Sequence, residues 1–298
     1  MIKYNDLYRL SLEYQKNNIS RLELEVLLCH VLQIDRSTLK AYPDKIIPQD
    51  KLTDFYQVVN RRINNEPMAY IVGYKNFWDL ELLITKDVLI PRADTETLVE
   101  QAFKILSELS KKQFASKIKI LELGTGSGAI ALAIAKHHPN CEIIATDINL
   151  SALHIAQYNA NKLNIHNIKF LLGDWFAALA NDHNYINYKF DIIISNPPYI
   201  SSDEINLCDP EIFFEPQNAL FAPDHGMACL KNIIVNCKQY LTGNGYLLLE
   251  HGINQSPQLM QFMLANNFTK VQSIKDLSDN NRVLIANFIA NLVKDSSR

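Results

Sequence analysis

The spacing of apolar positions changes twice along the chain. Up to about residue 66 it follows the helical period: Leu24, Leu27, Leu28, Val31 and Leu32 recur at short helical steps behind Ser20-x-x-Glu23, a pattern whose two ends cap each other's backbone N–H groups. This stretch predicts a small helical bundle whose leucines and aromatics form its core. Between residues 70 and 90, aromatic and β-branched residues gather around Gly73 and Asn76, which predicts a hairpin joining the bundle to the remainder of the chain.

Beyond the hairpin, helical and strand patterns alternate. Helices are expected at 97–109, 130–137, 150–163 and 227–241, and strands at 118–123, 142–146, 168–172, 190–195 and 245–249. Strands this apolar are buried on both faces, so the alternation gives a parallel sheet covered by helices on either side. Two final strand patterns, 268–274 and 282–289, flank Asp279-Asn280-Asn281 and predict an antiparallel hairpin at the sheet edge. The expected organisation is a helical domain over 1–68, a hairpin linker over 69–92 and an α/β domain over 93–298.

Composition narrows the function classes. A chain of 298 residues, 48% hydrophobic and 20% charged, has room for two folded domains. The net charge is only -3, and the first 85 residues carry eleven Lys/Arg against eleven Asp/Glu, so neither half has the basic face of a stable nucleic-acid binder. Cysteines at 29, 141, 208, 229 and 237 form no CxxC pair, and the histidines form no HExxH, which predicts free thiols and no metal. Lys3, Asp6 and Arg9 interrupt the start, and no apolar run reaches the roughly 18 residues of a membrane span, so a cytoplasmic protein with no membrane partner is expected.

Candidate chemistry sits where predicted strands end. The first α/β strand runs into Glu122-Leu123-Gly124-Thr125-Gly126-Ser127-Gly128 and then an alanine-rich helix, a turn at which a ligand can approach the backbone closely. It lacks the last step of GxGxxG and no P-loop lysine comes after it, so pyrophosphate and triphosphate ligands fit poorly and a sulfonium nucleoside fits better. Asp147 ends the second strand, where a carboxylate can accept from both ribose hydroxyls. Asp174 and Trp175 come directly after the third, offering an acceptor for an adenine amino group and an aromatic face for the ring. Singly, each has a structural reading as helix cap or core; together they suggest a nucleoside pocket.

The fourth strand delivers Asn196-Pro197-Pro198-Tyr199 to the same edge. Two prolines stiffen the turn and remove two donors, leaving the Asn196 side-chain oxygen and the Pro197 carbonyl to accept both hydrogens of an NH2 group while Tyr199 packs on its plane. Such a clamp suits nitrogen methylation, because an amide nitrogen shares its lone pair with the carbonyl and needs acceptors that strengthen as it becomes positive. No dedicated general base is evident.

Several motifs occur in a familiar order: Phe77-Trp78-x-Leu80, Leu89-Ile90-Pro91-Arg92-x-Asp94-Thr95-Glu96, the glycine turn, Asp174-Trp175, Asn196-Pro197-Pro198-Tyr199-Ile200, Phe214-Glu215-Pro216 and Leu248-Leu249-Glu250-His251-Gly252. Over essentially its full length the chain resembles the HemK/PrmC family of protein-glutamine N5-methyltransferases. The resemblance implies a class I, Rossmann-like methyltransferase fold with a seven-stranded sheet, S-adenosyl-L-methionine as cofactor and S-adenosyl-L-homocysteine as product. It also implies a substrate, the glutamine of the Gly-Gly-Gln motif in class I peptide chain release factors, docked with help from the N-terminal bundle. By the family's pattern the glycine turn, Asp147, Trp175 and Asn196 bind cofactor, and Asn196 to Tyr199 bind the glutamine. Phe213 departs from the polar or basic residue that many relatives carry there.

Two other readings share part of the pattern. An adenine-N6 nucleic-acid methyltransferase uses the same clamp on an extruded base but should show a basic face or a target-recognition domain. A catalytically silent adaptor would tolerate a damaged clamp, and here every clamp residue is intact.

Overall fold

The computed structural model describes residues 2–14, 19–111, 117–180, 183–185 and 187–289; the outer limits 1 and 298 of the expected domains lie outside them. The chain divides into two compact units, one running to Tyr74 and including Asp209–Phe214, the other spanning Lys75–Cys208 and continuing from Glu215.

The first unit contains helices α1 (Leu7–Tyr14), α2 (Arg21–Leu32), α3 (Arg36–Ala41), α4 (Gln49–Ile63) and α5 (Met68–Val72). Ser20 caps α2 as its sequence predicts: the hydroxyl accepts from the Glu23 N–H, and the Glu23 carboxylate accepts from the Ser20 N–H at 2.8 Å. Leu24, Leu27 and Leu28 are fully buried with Phe55 and Val59 of α4, while Val31 and Leu32 pack at the margin. Arg62 binds both Glu23 (2.8 Å) and Glu211 (2.6 Å), which fastens the segment 209–214 to this unit.

The second unit opens with a short hairpin, β1 (Tyr74–Phe77) and β2 (Leu80–Leu83). The hairpin is narrower than the expected 70–90, because Tyr70–Val72 complete α5, which ends on Gly73 in the left-handed region (φ 84°). After α6 (Glu96–Ser110), the main sheet is built from β3 (Lys119–Leu123), β4 (Glu142–Asp147), β5 (Ile168–Leu172), β6 (Phe190–Ser195), β7 (Leu241–Glu250), β8 (Phe268–Lys275) and β9 (Asn281–Phe288). Its seven strands run in the order β5-β4-β3-β6-β7-β9-β8; the first five are parallel, and β9 and β8 form the antiparallel edge hairpin. Helices α7 (Ala129–His137), α8 (Leu150–Lys162), α9 (Ala177–Ala180), α10 (Ala228–Asn236) and α11 (Ser256–Ala265) complete the unit.

Two sequence expectations are corrected here. The helix expected over 227–241 stops at Asn236 and passes through a tight turn at Cys237–Gln239, so Leu241 already belongs to β7. The other is α11, a helix where the sequence pattern predicts no element.

Register decides where the strand ends lie. Leu123 pairs with Thr146 on one side and Ser195 on the other, Ser195 pairs with Leu249, and Asp147 pairs with Leu172. Five parallel strands therefore end level, and the residues just past them emerge along one edge. The chain order reverses between β3 and β6, so a crevice opens there, where open α/β sheets bind ligands. Among the described residues, no helix is long and apolar enough to cross a membrane.

Candidate functional site

A cavity of about 210 Å³ lies at this level edge. Its walls include Gly124, Gly126, Asp147, Asp174, Trp175, Asn196, Pro197 and Pro198, eight of the residues singled out from the sequence. Leu89 and Pro216, which the sequence singles out only within longer motifs, also line it, as do Asn149, Asn218 and Cys229, for which the sequence predicts no role in the site.

The glycine turn owes its shape to backbone bonds and left-handed conformations. Gly124 and Thr125 both donate to the Thr146 carbonyl at 2.9 Å, and Gly124, Gly126 and Gly128 have φ of 73°, 56° and 84°. The three glycines serve different ends. A Cβ on Gly126 would meet nothing within 4 Å and one on Gly124 only Trp175 at 3.8 Å, so this backbone faces open space. A Cβ on Gly128 would lie 2.9 Å from Leu132 and 3.2 Å from Ala156, so this glycine lets α7 and α8 close on the turn. The buried Asn159 of α8 donates to the carbonyls of Ser127 (3.0 Å) and Leu83 (3.2 Å) and accepts from the Leu83 N–H, tying the turn to the hairpin.

Asp147 accepts from the Gly126 N–H at 2.8 Å through one oxygen and from the Asn149 N–H at 2.9 Å through the other. Partial burial raises its pKa, and these backbone donors oppose the rise. The Ile148 N–H is a third backbone donor, and the carboxylate keeps acceptor capacity for one further donor. Trp175 sits in the left-handed region (φ 46°), with its ring bordering both the cavity and the sheet core.

Glu122, Thr125, Ser127, Gly128 and Tyr199 are not among the cavity walls. Glu122 lies beneath the turn, accepting from the Thr125 hydroxyl at 2.6 Å with its Oε1 buried and unpartnered. It braces the turn from within. Burial pushes its pKa from 4.5 up to about 8. With the folded pKa above the unfolded one, stability is full below about pH 4.5 and falls as pH rises toward 8, by roughly 2–4 kcal/mol. Glu122→Gln is expected to flatten this fall in urea midpoints measured from pH 5 to 8.5; a variant that tracks the wild-type slope would remove Glu122 as its source.

The segment Asn196–Ile200 is held at both ends. Ser195 donates to the Leu123 carbonyl at 2.7 Å upstream, and Ile200 pairs with Phe221 downstream. Asn196 Nδ2 donates to the buried Thr95 hydroxyl at 3.2 Å. The Tyr199 hydroxyl donates to Glu250 at 3.1 Å, and its carbonyl accepts from Gln255 at 2.9 Å. Glu250 is wholly buried, and burial pushes its pKa up to about 7 against the opposing effect of Thr95, Tyr199 and Arg282. Burial and the Glu250 charge in turn raise the Tyr199 phenol.

Five acidic residues stand within 203–215, and two of them bind arginines. Glu211 binds Arg62, and the buried Glu215 accepts from the Ile90 N–H at 2.9 Å and pairs with Arg92. That tie joins the segments carrying Leu89 and Pro216, two cavity walls. Asp94 pairs with Arg282 at 3.1 Å. Among the described residues no cluster of His, Cys, Asp and Glu could hold a metal, and all five cysteines are free.

Comparison with known proteins places this architecture. The PrmC N-terminal domain family matches residues 8–73, and a methyltransferase domain family matches residues 114–290. The release factor glutamine methyltransferase of Aliivibrio fischeri is 39% identical, the match covering 94% of each chain. That of Buchnera aphidicola subsp. Schizaphis graminum is 42% identical over 88% of this chain and 90% of its own. In fold, a methyltransferase from Pyrococcus furiosus superposes with a TM-score of 0.50 at 17% identity, covering 78% of this chain and 98% of the other. A bundle unit, a sheet of this order and identity sustained across both leave one assignment: the chain belongs to the release factor glutamine methyltransferase family.

Proposed function

We propose that the protein transfers a methyl group from S-adenosyl-L-methionine to the side-chain amide nitrogen of the glutamine in the Gly-Gly-Gln motif of class I peptide chain release factors. One observation supports this above the rest: Gly124 and Gly126 of the glycine turn, Asp147, Asp174, Trp175 and the Asn-Pro-Pro segment are walls of a single cavity.

The residues present fit the cofactor. Gly124 and Gly126 turn open backbone to the cavity, Asp147 borders it with acceptor capacity left for a ribose hydroxyl, and Trp175 offers an aromatic face beside an acceptor, Asp174. When bound, S-adenosyl-L-methionine supplies an electrophilic methyl group on sulfonium sulfur. The chain's own part is to orient and polarise the amide. The Asn196 oxygen and the Pro197 carbonyl accept the two hydrogens of the glutamine NH2, drawing electron density onto nitrogen and holding it in one direction. Tyr199, anchored by Glu250 and Gln255, fixes the end of the clamp and is proposed to border the amide plane.

The test is incubation of the protein with purified release factor and S-adenosyl-L-methionine, then peptide mass mapping. Gain of one methyl group on the Gly-Gly-Gln glutamine is expected. Methyl transfer to DNA or RNA with none to the release factor would overturn the proposal, as would binding of the factor without any mass gain.

A further inference from the structure

The clamp turn has one soft joint. Proline rings set φ at Pro197 and Pro198, and a residue that precedes a proline is restricted in ψ, so Asn196 and Pro197 have little freedom left. Rotation is easiest at Tyr199, which is neither. The peptide that follows it is gripped from both sides: the Ile200 N–H donates to the Leu220 carbonyl at 3.0 Å, and the Tyr199 carbonyl accepts from Gln255 at 2.9 Å. The bond of the Tyr199 hydroxyl to Glu250 steadies the ring and leaves this peptide untouched.

Gln255 spends every polar atom of its side chain on the grip. Nε2 donates to the carbonyls of Tyr199 (2.9 Å) and His225 (3.2 Å), and Oε1 accepts from the Gly252 N–H at 2.9 Å. A half turn of the carboxamide would set its oxygen against two carbonyls and its NH2 against an N–H, so the three contacts fix its direction. They also join three segments: the clamp turn, the turn before α10 and the residues after β7. The backbone of Gln255 is fixed in turn, its N–H donating to the Gly252 carbonyl at 3.0 Å and its carbonyl accepting from the Leu259 N–H at 3.1 Å at the start of α11. Leu259 and Met263 seat that helix in the core of the sheet. The packed core therefore reaches the backbone of the clamp turn through this side chain.

We infer that Gln255 is a positioning residue of the methyl transfer: by holding the Tyr199 carbonyl it sets the direction in which the Asn196 oxygen and the Pro197 carbonyl meet the substrate amide. Gln255 is not among the cavity walls, so it acts through Tyr199. This role rests on the proposed transfer to glutamine, but the grip itself can be measured without any substrate.

Three variants of the full chain test it. Gln255→Glu keeps the size and sets a carboxylate against two carbonyls, and Gln255→Met keeps the length without the hydrogen bonds. Asn266→Ala is the control, since it removes side-chain bonds to Phe262 (2.9 Å) and Lys238 (3.2 Å) at the far end of α11. In methyl-transfer assays with release factor, kcat should fall about tenfold in Gln255→Met, one hydrogen bond's worth, and about 10²-fold in Gln255→Glu, the scale of a reacting group misplaced by about 1 Å. The Kd for S-adenosyl-L-methionine should stay unchanged in both. Asn266→Ala should lower the urea midpoint to a similar extent as Gln255→Met and keep the wild-type kcat. Amide hydrogen exchange of the ligand-free protein reads the grip: the Ile200 N–H should exchange about tenfold faster in Gln255→Met than in wild type or Asn266→Ala.

Wild-type kcat in Gln255→Met would overturn the inference, and so would an equal loss in Asn266→Ala, since lowered stability would then explain both. A matching loss of cofactor affinity would overturn it too, because Gln255 would then support the nucleoside end. If Gln255→Glu does not fold, Gln255→Met and the exchange rates decide. If wild type fails to methylate release factor, the proposed function fails, while unaltered Ile200 exchange in Gln255→Met would separately overturn the hold on Tyr199.

Discussion

Asn196→Ala is expected to lower kcat for methyl transfer by about 10²–10³-fold, the usual scale for removing one preorganised group aimed at developing charge. The affinity for S-adenosyl-L-methionine should stay nearly unchanged. The reason lies in what each wall of the cavity has to offer. The adenosine end is served by the glycine turn, Asp147, Asp174 and Trp175, none of which bonds to Asn196, whereas the Asn196 side chain spends its nitrogen on Thr95 and keeps its oxygen. Alanine therefore removes an acceptor from the reacting nitrogen and leaves the nucleoside end intact. Calorimetric titration of the cofactor with single-turnover transfer separates the two effects. Wild-type turnover in the variant would rule out the clamp, and a parallel loss of cofactor affinity would move Asn196 into the nucleoside site.

Much of the fold and the cavity is legible in the sequence because it depends on local pattern. Strands such as Phe190–Ser195 carry an unbroken apolar run, here Ile192–Ile194, which burial on both faces explains, and the alternation with helices then dictates a parallel sheet. The glycine turn, Asp147, Asp174-Trp175 and the Asn-Pro-Pro segment each stand at a strand end, and level strand ends bring them together. Helix α11 escapes the pattern although Ser256-Pro257 is a fair start signal and Leu259 and Met263 share one buried face; its polar and apolar residues are too mixed to set a clear period. The overextended helix after Met227 fails for the opposite reason. Val235 to Leu241 stays compatible with a helix by composition, and only sheet pairing of Leu241 with Phe190 ends it.

The residues behind the site are less legible, because their roles are set by distant partners. Thr95 and Glu250 lie far apart in sequence, and nothing local says that one meets Asn196 and the other Tyr199. A glutamate closing an apolar strand is the available signal: a carboxylate so placed is either a ligand acceptor or the hub of a buried network. Glu122 carries the same signal and the structure makes it a brace beneath the turn. Which of these a strand-end carboxylate becomes depends on side-chain direction, and strand alternation alone does not separate them at a turn.

A glycine outside the cavity walls should matter nearly as much to the rate. Gly226 lies in the turn before α10 at φ 81°, and a Cβ there would fall 2.1 Å from the Tyr199 carbonyl oxygen and 2.8 Å from Gln255 Nε2. Those two atoms form a clamp of their own: Gln255 donates to the Tyr199 carbonyl at 2.9 Å while its own oxygen accepts from the Gly252 N–H at 2.9 Å. Gly226→Ala must therefore displace backbone, not a flexible side chain. Upstream, Ser195 is locked in the sheet by its pairing with Leu249 and its bond to Leu123, so the displacement has nowhere to go but the Asn196–Tyr199 turn. Two prolines keep that turn from absorbing it locally. A misplacement of about 1 Å in a reacting group costs on the order of 10²-fold in rate, and the expected loss in kcat is of that size, with about 3 kcal/mol of stability lost to strain and overlap. Gly73→Ala is the matched control, since Gly73 has φ 84° but nothing within 4 Å of where its Cβ would lie. It should lose only about 1–2 kcal/mol to the left-handed conformation and keep the wild-type rate. Chemical denaturation and kcat measured on both variants decide the matter: equal stability losses with equal rates would mean that conformational strain, not contact with Tyr199, is all that Gly226 avoids.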